Sequence, residues 1–145
     1  MFVVDLRQAG DGGEIKPTLM WTPHQAGVKG IRWFHNSGQD ILVTGSWDKT
    51  VKMFNFQSEN PVFTLNCQER VYSMDIKNSL LVIATAERHI HIVNLEKPGE
   101  FYKTIQSPLK WQTRVVSCFT DATGFAVGSI EGRCAIQYVE DKDTR

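Results

Sequence analysis

The side chains able to do chemistry in this chain are few, and their spacing excludes most reactions. His89 and His91 flank Ile90, so a strand would set both imidazoles on one face, the beginning of a metal site. No third ligand accompanies them. The simpler expectation is two outward-facing polar residues alternating with core Ile90 and Ile92. Cys67, Cys118 and Cys134 are an odd number, far apart, set among apolar residues and without a C-x-x-C pair. They read as buried, reduced thiols of a cytosolic or nuclear chain. Gly10 to Gly13 (GDGG) lacks the following helix and the Lys-Ser/Thr pair of a phosphate-binding loop. No Ser–His–Asp or Cys–His arrangement can be argued from spacing. The expectation is a non-enzymatic chain with no metal, no cofactor and no small-molecule substrate.

One acid stands in an unusual place. Asp48 follows Trp47 in the tight polar turn of "LVTGSWDKTVKMFN", Leu42 to Asn55. A carboxylate there can accept hydrogen bonds from its own turn backbone. It can also receive one from a His ahead of the first strand, and His24 stands four residues before Val28. Together with Ser46 this reads as a structural staple rather than a catalytic carboxylate.

The elements that position this turn recur. "VIATAERHIHIVNL" (Val82 to Leu95) and "AVGSIEGRCAIQYV" (Ala126 to Val139) superimpose on it. Ser46, Thr85 and Ser129 fall together, as do Asp48, Glu87 and Glu131, at spacings of 39 and 44 residues. A further strand-like run opens each unit: Val28 to Phe34, Val71 to Lys77, and Val115 to Asp121. Two units add a fourth run, Pro61 to Asn66 and Phe101 to Gln106. Gly, Pro, Asn and Ser clusters separate the runs, and no segment shows sustained helical periodicity. Four short strands per unit, repeated without helices, predict an all-β propeller of which this chain holds about three to four blades. Residues 1–21 read as the end of a preceding blade, with Met1 to Gln8 as its third strand and Lys16 to Trp21 as its fourth. Residues 24–67 and 68–107 read as blades, and 111–140 as an incomplete one. The chain thus reads as a middle segment of a longer protein.

Composition fits a soluble globular chain: 145 residues, 41% hydrophobic, 22% charged, formal net charge zero. That balance supplies no overall field toward nucleic acid or an anionic membrane. No stretch approaches the roughly 18 apolar residues of a membrane span. The N-terminal apolar run is broken at Asp5, so no membrane partner and no secretory route are expected.

In a propeller, the turns between second and third strands share one face with the segments leading into the first strands. The alignment puts Trp47, Lys49, Arg88, His89, Glu131 and Arg133 in the former turns. Arg70 and Arg114 fall at equivalent places before first strands, with Lys110 and Trp111 beside the latter. Arg and Trp on one surface are frequent anchors of protein partners.

The repeat resembles the WD-repeat family of β-propellers. Phe54, Val93 and Tyr138 stand where the signature Trp of that family falls, and Cys67 and Trp111 stand where later units would carry the His. The Asp–His–Ser–Trp network is therefore incomplete. "VTGSWDKTVKMFN", "ATAERHI", "SPLKWQTRVV" and "GFAVGSIEGRCAIQYV" resemble, more narrowly, the WD-repeat mRNA export factors of the nuclear pore. WD-repeat subunits of the spindle checkpoint share "GSWD", K-x-Q-T-R and "SIEGR" and remain the alternative. The export-factor resemblance implies a nuclear scaffold at the pore complex, shuttling to the cytoplasm, that docks an FG-nucleoporin through a GLEBS-type acidic motif. It implies that mRNA or mRNP is met indirectly. The checkpoint alternative implies an adaptor for GLEBS motifs of checkpoint kinases. Both imply that Arg114, the Arg of K-x-Q-x-R, pairs with a glutamate of the motif.

Overall fold

The computed structural model describes residues 2–3 and 19–140. Two short strands, β1 (Phe2–Val3) and β2 (Leu19–Met20), pair antiparallel. The rest of the segment expected to close a preceding blade before Leu19 lies outside the described residues. Three antiparallel meanders follow. The first sheet is β3 (Val28–Asn36), β4 (Gln39–Ser46), β5 (Thr50–Phe54) and β6 (Phe63–Asn66). The second is β7 (Val71–Lys77), β8 (Leu80–Thr85), β9 (His89–Asn94) and β10 (Lys103–Gln106), with a single 3-10 turn at Ala86–Arg88. The third is β11 (Thr113–Cys118), β12 (Gly124–Ser129) and β13 (Cys134–Tyr138). The architecture is all-β, a partial propeller of repeated blades.

The core lies between sheets. All six residues of β8 are buried, because one face packs on the first sheet and the other on the third. Val71, Met74, Leu81, Ile83 and Val93 meet Val43, Val51 and Met53 in one seam. Val82, Ala84, Ile90 and Ile92 meet Val116, Phe125 and Val127 in the other. A strand sandwiched on both faces has no solvent side, so it reads as a continuous apolar run. The first seam closes tightly over glycine. A Cβ on Gly30 would lie 2.9 Å from Met74 Cγ, and one on Gly45 would lie 2.9 Å from Val71 Cγ1.

Each first strand (β3, β7, β11) opens with a bulge, at Val28/Gly30, Val71/Ser73 and Thr113/Val115. These registers correct the sequence reading of the third unit. Its first strand begins at Thr113, two residues before Val115, because Thr113 fills the buried place that Val71 takes one unit earlier. It ends at Cys118, where Phe119 accepts a turn hydrogen bond from the Ala122 N–H at 3.0 Å.

First strands sit at sheet edges, which leaves N–H groups without a strand partner. Side chains of β7 supply acceptors to β11. Ser73 Oγ accepts from Val116 N at 3.2 Å, and Asp75 Oδ2 from Cys118 N at 2.7 Å. Asp75 Oδ1 also accepts from Arg32 Nε of β3 at 3.2 Å.

Candidate partner-docking face

The turn between β4 and β5 is built around Asp48. Its Oδ1 accepts Thr50 N at 3.0 Å and the Thr50 hydroxyl, while Oδ2 accepts Gln25 N at 3.2 Å and lies 2.9 Å from His24 Nδ1. A carboxylate can only accept, so Nδ1 carries the proton and Nε2 accepts from the Thr44 hydroxyl at 2.7 Å. His24 Nδ1 also lies 3.0 Å from Thr50 Oγ1. Ser46 Oγ donates to Gly27 O at 3.0 Å and accepts Asp48 N at 3.0 Å. Burial pushes the Asp48 pKa up, but the hydrogen bonds from Thr50, Gln25 and His24 outweigh it and hold it below its ordinary value. Burial pulls His24 down, and Asp48 restores only part of the loss. At neutral pH the pair is a carboxylate and a neutral imidazole.

The second unit solves the same turn differently. Glu87 is exposed, and the Thr85 hydroxyl bonds Ala86 O at 2.9 Å. Glu87 and Arg88 both take left-handed backbone, with φ of 60° and 62°. Lys49 and Gly132 occupy the Arg88 position of the other two turns, also left-handed, at 73° and 83°. Arg88 points across the seam, its guanidinium donating to Leu109 O at 3.0 Å and to Lys110 O at 3.3 Å. Of the candidate anchors, it is the one that ties down the loop carrying Lys110 and Trp111.

Trp47, Lys49, Arg70, Lys110, Trp111 and Arg114 are exposed, the two tryptophans about half so. Register corrects two equivalences: Arg70, whose carbonyl accepts Ala86 N, matches Gln112, whose carbonyl accepts Ile130 N. Arg114 is the bulge residue of β11 and matches Tyr72, while Leu109, not Trp111, matches Cys67 and His24. Glu131 and Arg133 form a loose pair at 3.8 Å. A groove of about 440 Å³ opens between the second and third sheets, lined by Tyr72, Ala86, Glu87, Arg88, Gln106 and Gln112. Sequence reasoning missed Tyr72, Gln106 and Gln112. The bulge register shared with Arg114 is the signal that points to Tyr72.

Two further expectations are corrected. His91 does not face solvent: it is buried, with Nδ1 2.9 Å from Thr104 Oγ1, Nε2 3.2 Å from Cys67 O, and its ring stacked on Phe101. Its pKa is lowered, chiefly by burial. Cys134 is exposed rather than buried, whereas burial pushes the Cys67 and Cys118 thiols up to about 12, which keeps them protonated. Among the described residues no cluster of His, Cys, Asp or Glu could hold a metal, and no helix is long and apolar enough to cross a membrane.

The fold and the repeated turn define the class: the chain is a segment of a WD40-repeat β-propeller. The family described as "WD domain, G-beta repeat" matches residues 15–55. Its close homologues are named mRNA export factors. The protein named "mRNA export factor GLE2" of Chaetomium thermophilum is 63% identical over 120 residues, 83% of this chain and 34% of that protein. The "Poly(A)+ RNA export protein" of Schizosaccharomyces pombe is 46% identical over 121 residues, 83% of this chain and 34% of that protein. The "Mitotic checkpoint protein BUB3.1" of Arabidopsis thaliana is a more distant relative, 38% identical over 122 residues, 81% of this chain and 35% of that protein. The chain spans about a third of the length of these relatives. Among solved structures, the WD40 β-propeller domain of Doa1 superimposes with a TM-score of 0.68 at 19% identity, covering 82% of this chain and 39% of that one, a likeness of fold alone.

Proposed function

We propose that the chain is part of a non-enzymatic WD-repeat scaffold that supports mRNA export, with residues 24–67, 68–107 and 111–140 as successive blades. Its turn face docks a GLEBS-type acidic segment of an FG-nucleoporin, which places the protein in the nucleus and at the pore complex, shuttling to the cytoplasm. mRNA is reached through that partner, since the chain's zero net charge offers no general attraction to a polyanion. The observation that carries the reading is that Arg70, Trp111 and Arg114 are all exposed in the segments that lead into or open the first strands of the second and third sheets. The planar fork of Arg114 can hold a glutamate through two parallel hydrogen bonds. Trp111 offers apolar area at little entropic cost. The export factors' higher identity favours this reading over the checkpoint adaptor.

Titration of a labelled GLEBS-type peptide tests it. Arg114→Ala weakens binding by about thirtyfold to several thousandfold, the penalty of truncating one partner of a hydrogen-bonded charge pair. Arg114→Lys recovers part of the loss, and Arg70→Ala does less harm than Arg114→Ala. Unchanged affinity in Arg114→Ala removes the site from this face.

A further inference from the structure

On the face opposite the β4–β5 turn, each seam between sheets opens into a hollow backed by apolar side chains and edged by a glutamate. The first, about 270 Å³, lies between the first and second sheets, where Phe34 and Leu95 end the core seam and Glu96 stands at the rim. The second, about 230 Å³, lies between the second and third sheets, walled by Leu80, Ile92, Ala122 and Val139 with Glu140 at its rim. The two are one arrangement repeated. Leu95 N donates to Ser79 O at 2.7 Å and Val139 N to Thr123 O at 3.0 Å, each joining the exit of a third strand to the turn behind it. Glu96 and Glu140 follow at matched register. Ser79 lines both hollows, so they adjoin. Both lie between sheets that meet within the chain.

The charges around these hollows favour a cation. The Tyr102 hydroxyl donates to Glu140 Oε1 at 2.6 Å and holds the carboxylate at the edge of the second hollow. His35, at the edge of the first, has Asp40 Oδ1 2.9 Å from its Nδ1. Of the lysines nearby, Lys103 donates to the Val139 carbonyl at 3.4 Å, and Lys97 shares a neighbouring hollow with Glu100. An apolar wall that leads to a carboxylate suits a side chain with an aliphatic stem and a charged tip. We propose that the two hollows are paired sockets for lysine or arginine side chains of an extended basic segment from a partner protein. The stems pack against Phe34 and Leu95 in one socket and against Leu80 and Val139 in the other. The tips meet Glu96 and Glu140 in charge-assisted hydrogen bonds. This face lies opposite the exposed Arg70 and Arg114, so both faces can be engaged at once.

Fluorescence anisotropy on the whole chain tests this with a labelled peptide of alternating lysine and serine. The parent binds it and does not bind the same peptide with glutamate in place of lysine. A peptide with diaminobutyrate in place of lysine, which keeps the ammonium on a stem half as long, binds more weakly. Glu96→Gln and Glu140→Gln, both at exposed positions and checked for unchanged circular dichroism, each weaken binding about tenfold, the loss of one charge-assisted hydrogen bond. Glu69→Gln, in the segment leading into β7 at the other end of the sheets, binds as the parent does. A parent that fails to bind the lysine peptide overturns the proposal. So does a short-stem peptide that binds as tightly, since surface charge alone would then explain the affinity. Unchanged affinity in either socket variant, or an equal loss in Glu69→Gln, overturns it as well.

Discussion

The turns of the first and second sheets occupy the same place in the repeat and are held by opposite means. In the first, a buried His, two Thr hydroxyls and a carboxylate satisfy one another while the backbone around Asp48 needs one left-handed residue, Lys49. In the second the acid has drifted into solvent, two consecutive residues take left-handed backbone, and Arg88 ties the turn to the following unit. A further His enters elsewhere: His91 of β9 reaches Cys67 O, much as Lys52 of β5 donates to Pro23 O at 2.8 Å. The difference teaches that the repeat conserves a hydrogen-bonding requirement, not a residue. The chain entering each sheet must be fastened to the turn or to the third strand, and any donor of suitable reach serves.

Removing Asp48 breaks the comparison most severely. Asp48→Ala strips acceptors from Thr50 N and Gln25 N and leaves buried His24 without its partner. The expected loss is about 1–3 kcal/mol in denaturant unfolding. His24→Ala added to it should cost less than the sum of the two single losses, because both act through one bond. Strict additivity would show that the network is not a unit.

A smaller effect follows from the imidazoles. His24 and His91 are both held below the ordinary value of 6.5, chiefly by burial. The unfolded chain therefore takes up protons through about pH 6.5 where the native state does not, so stability is present above that pH and falls as pH drops toward the folded-state values. Melting temperature should decline from about pH 7 to about pH 5, and His91→Leu should flatten the decline. A variant with the parent's slope would assign the whole dependence to other groups.

Arg88→Ala should do least to stability, about 1 kcal/mol or less, since the side chain is half-buried and its bonds are to loop carbonyls. It should instead speed amide exchange at Leu109 to Gln112. Unchanged exchange there would mean the loop is held by the Ser107 Oγ bond to Leu109 N alone.

The repeat itself was legible in the sequence, because Ser46, Thr85 and Ser129 precede the same turn at blade-length spacing. The start of the third unit was not. A Thr at position 113 does the packing work of Val71, and a hydropathy pattern passes over it in favour of Val115. His91 was misplaced for a related reason. Alternation identifies an outward face only where one face meets water, and β9 lies between two other sheets. Trp47, Trp111 and Arg114 were singled out by their types, and the structure shows them exposed. The groove between the second and third sheets, with Tyr72 and the two Gln side chains, needed the register.

Asp75 has a role that reaches beyond its own strand. In a repeat array where each unit touches only its neighbours, stability is a sum of unit and nearest-interface contributions, and the ends can melt while the middle holds. Asp75 receives Arg32 from the unit before it and Cys118 N from the unit after it. One carboxylate thereby links units that do not adjoin. Fraying of the third sheet takes the Cys118 N–H from Oδ2 and leaves Oδ1 to Arg32. This carboxylate therefore ties the two outer sheets to the middle one through separate oxygens, the Arg32 side as a half-exposed ion pair of small weight.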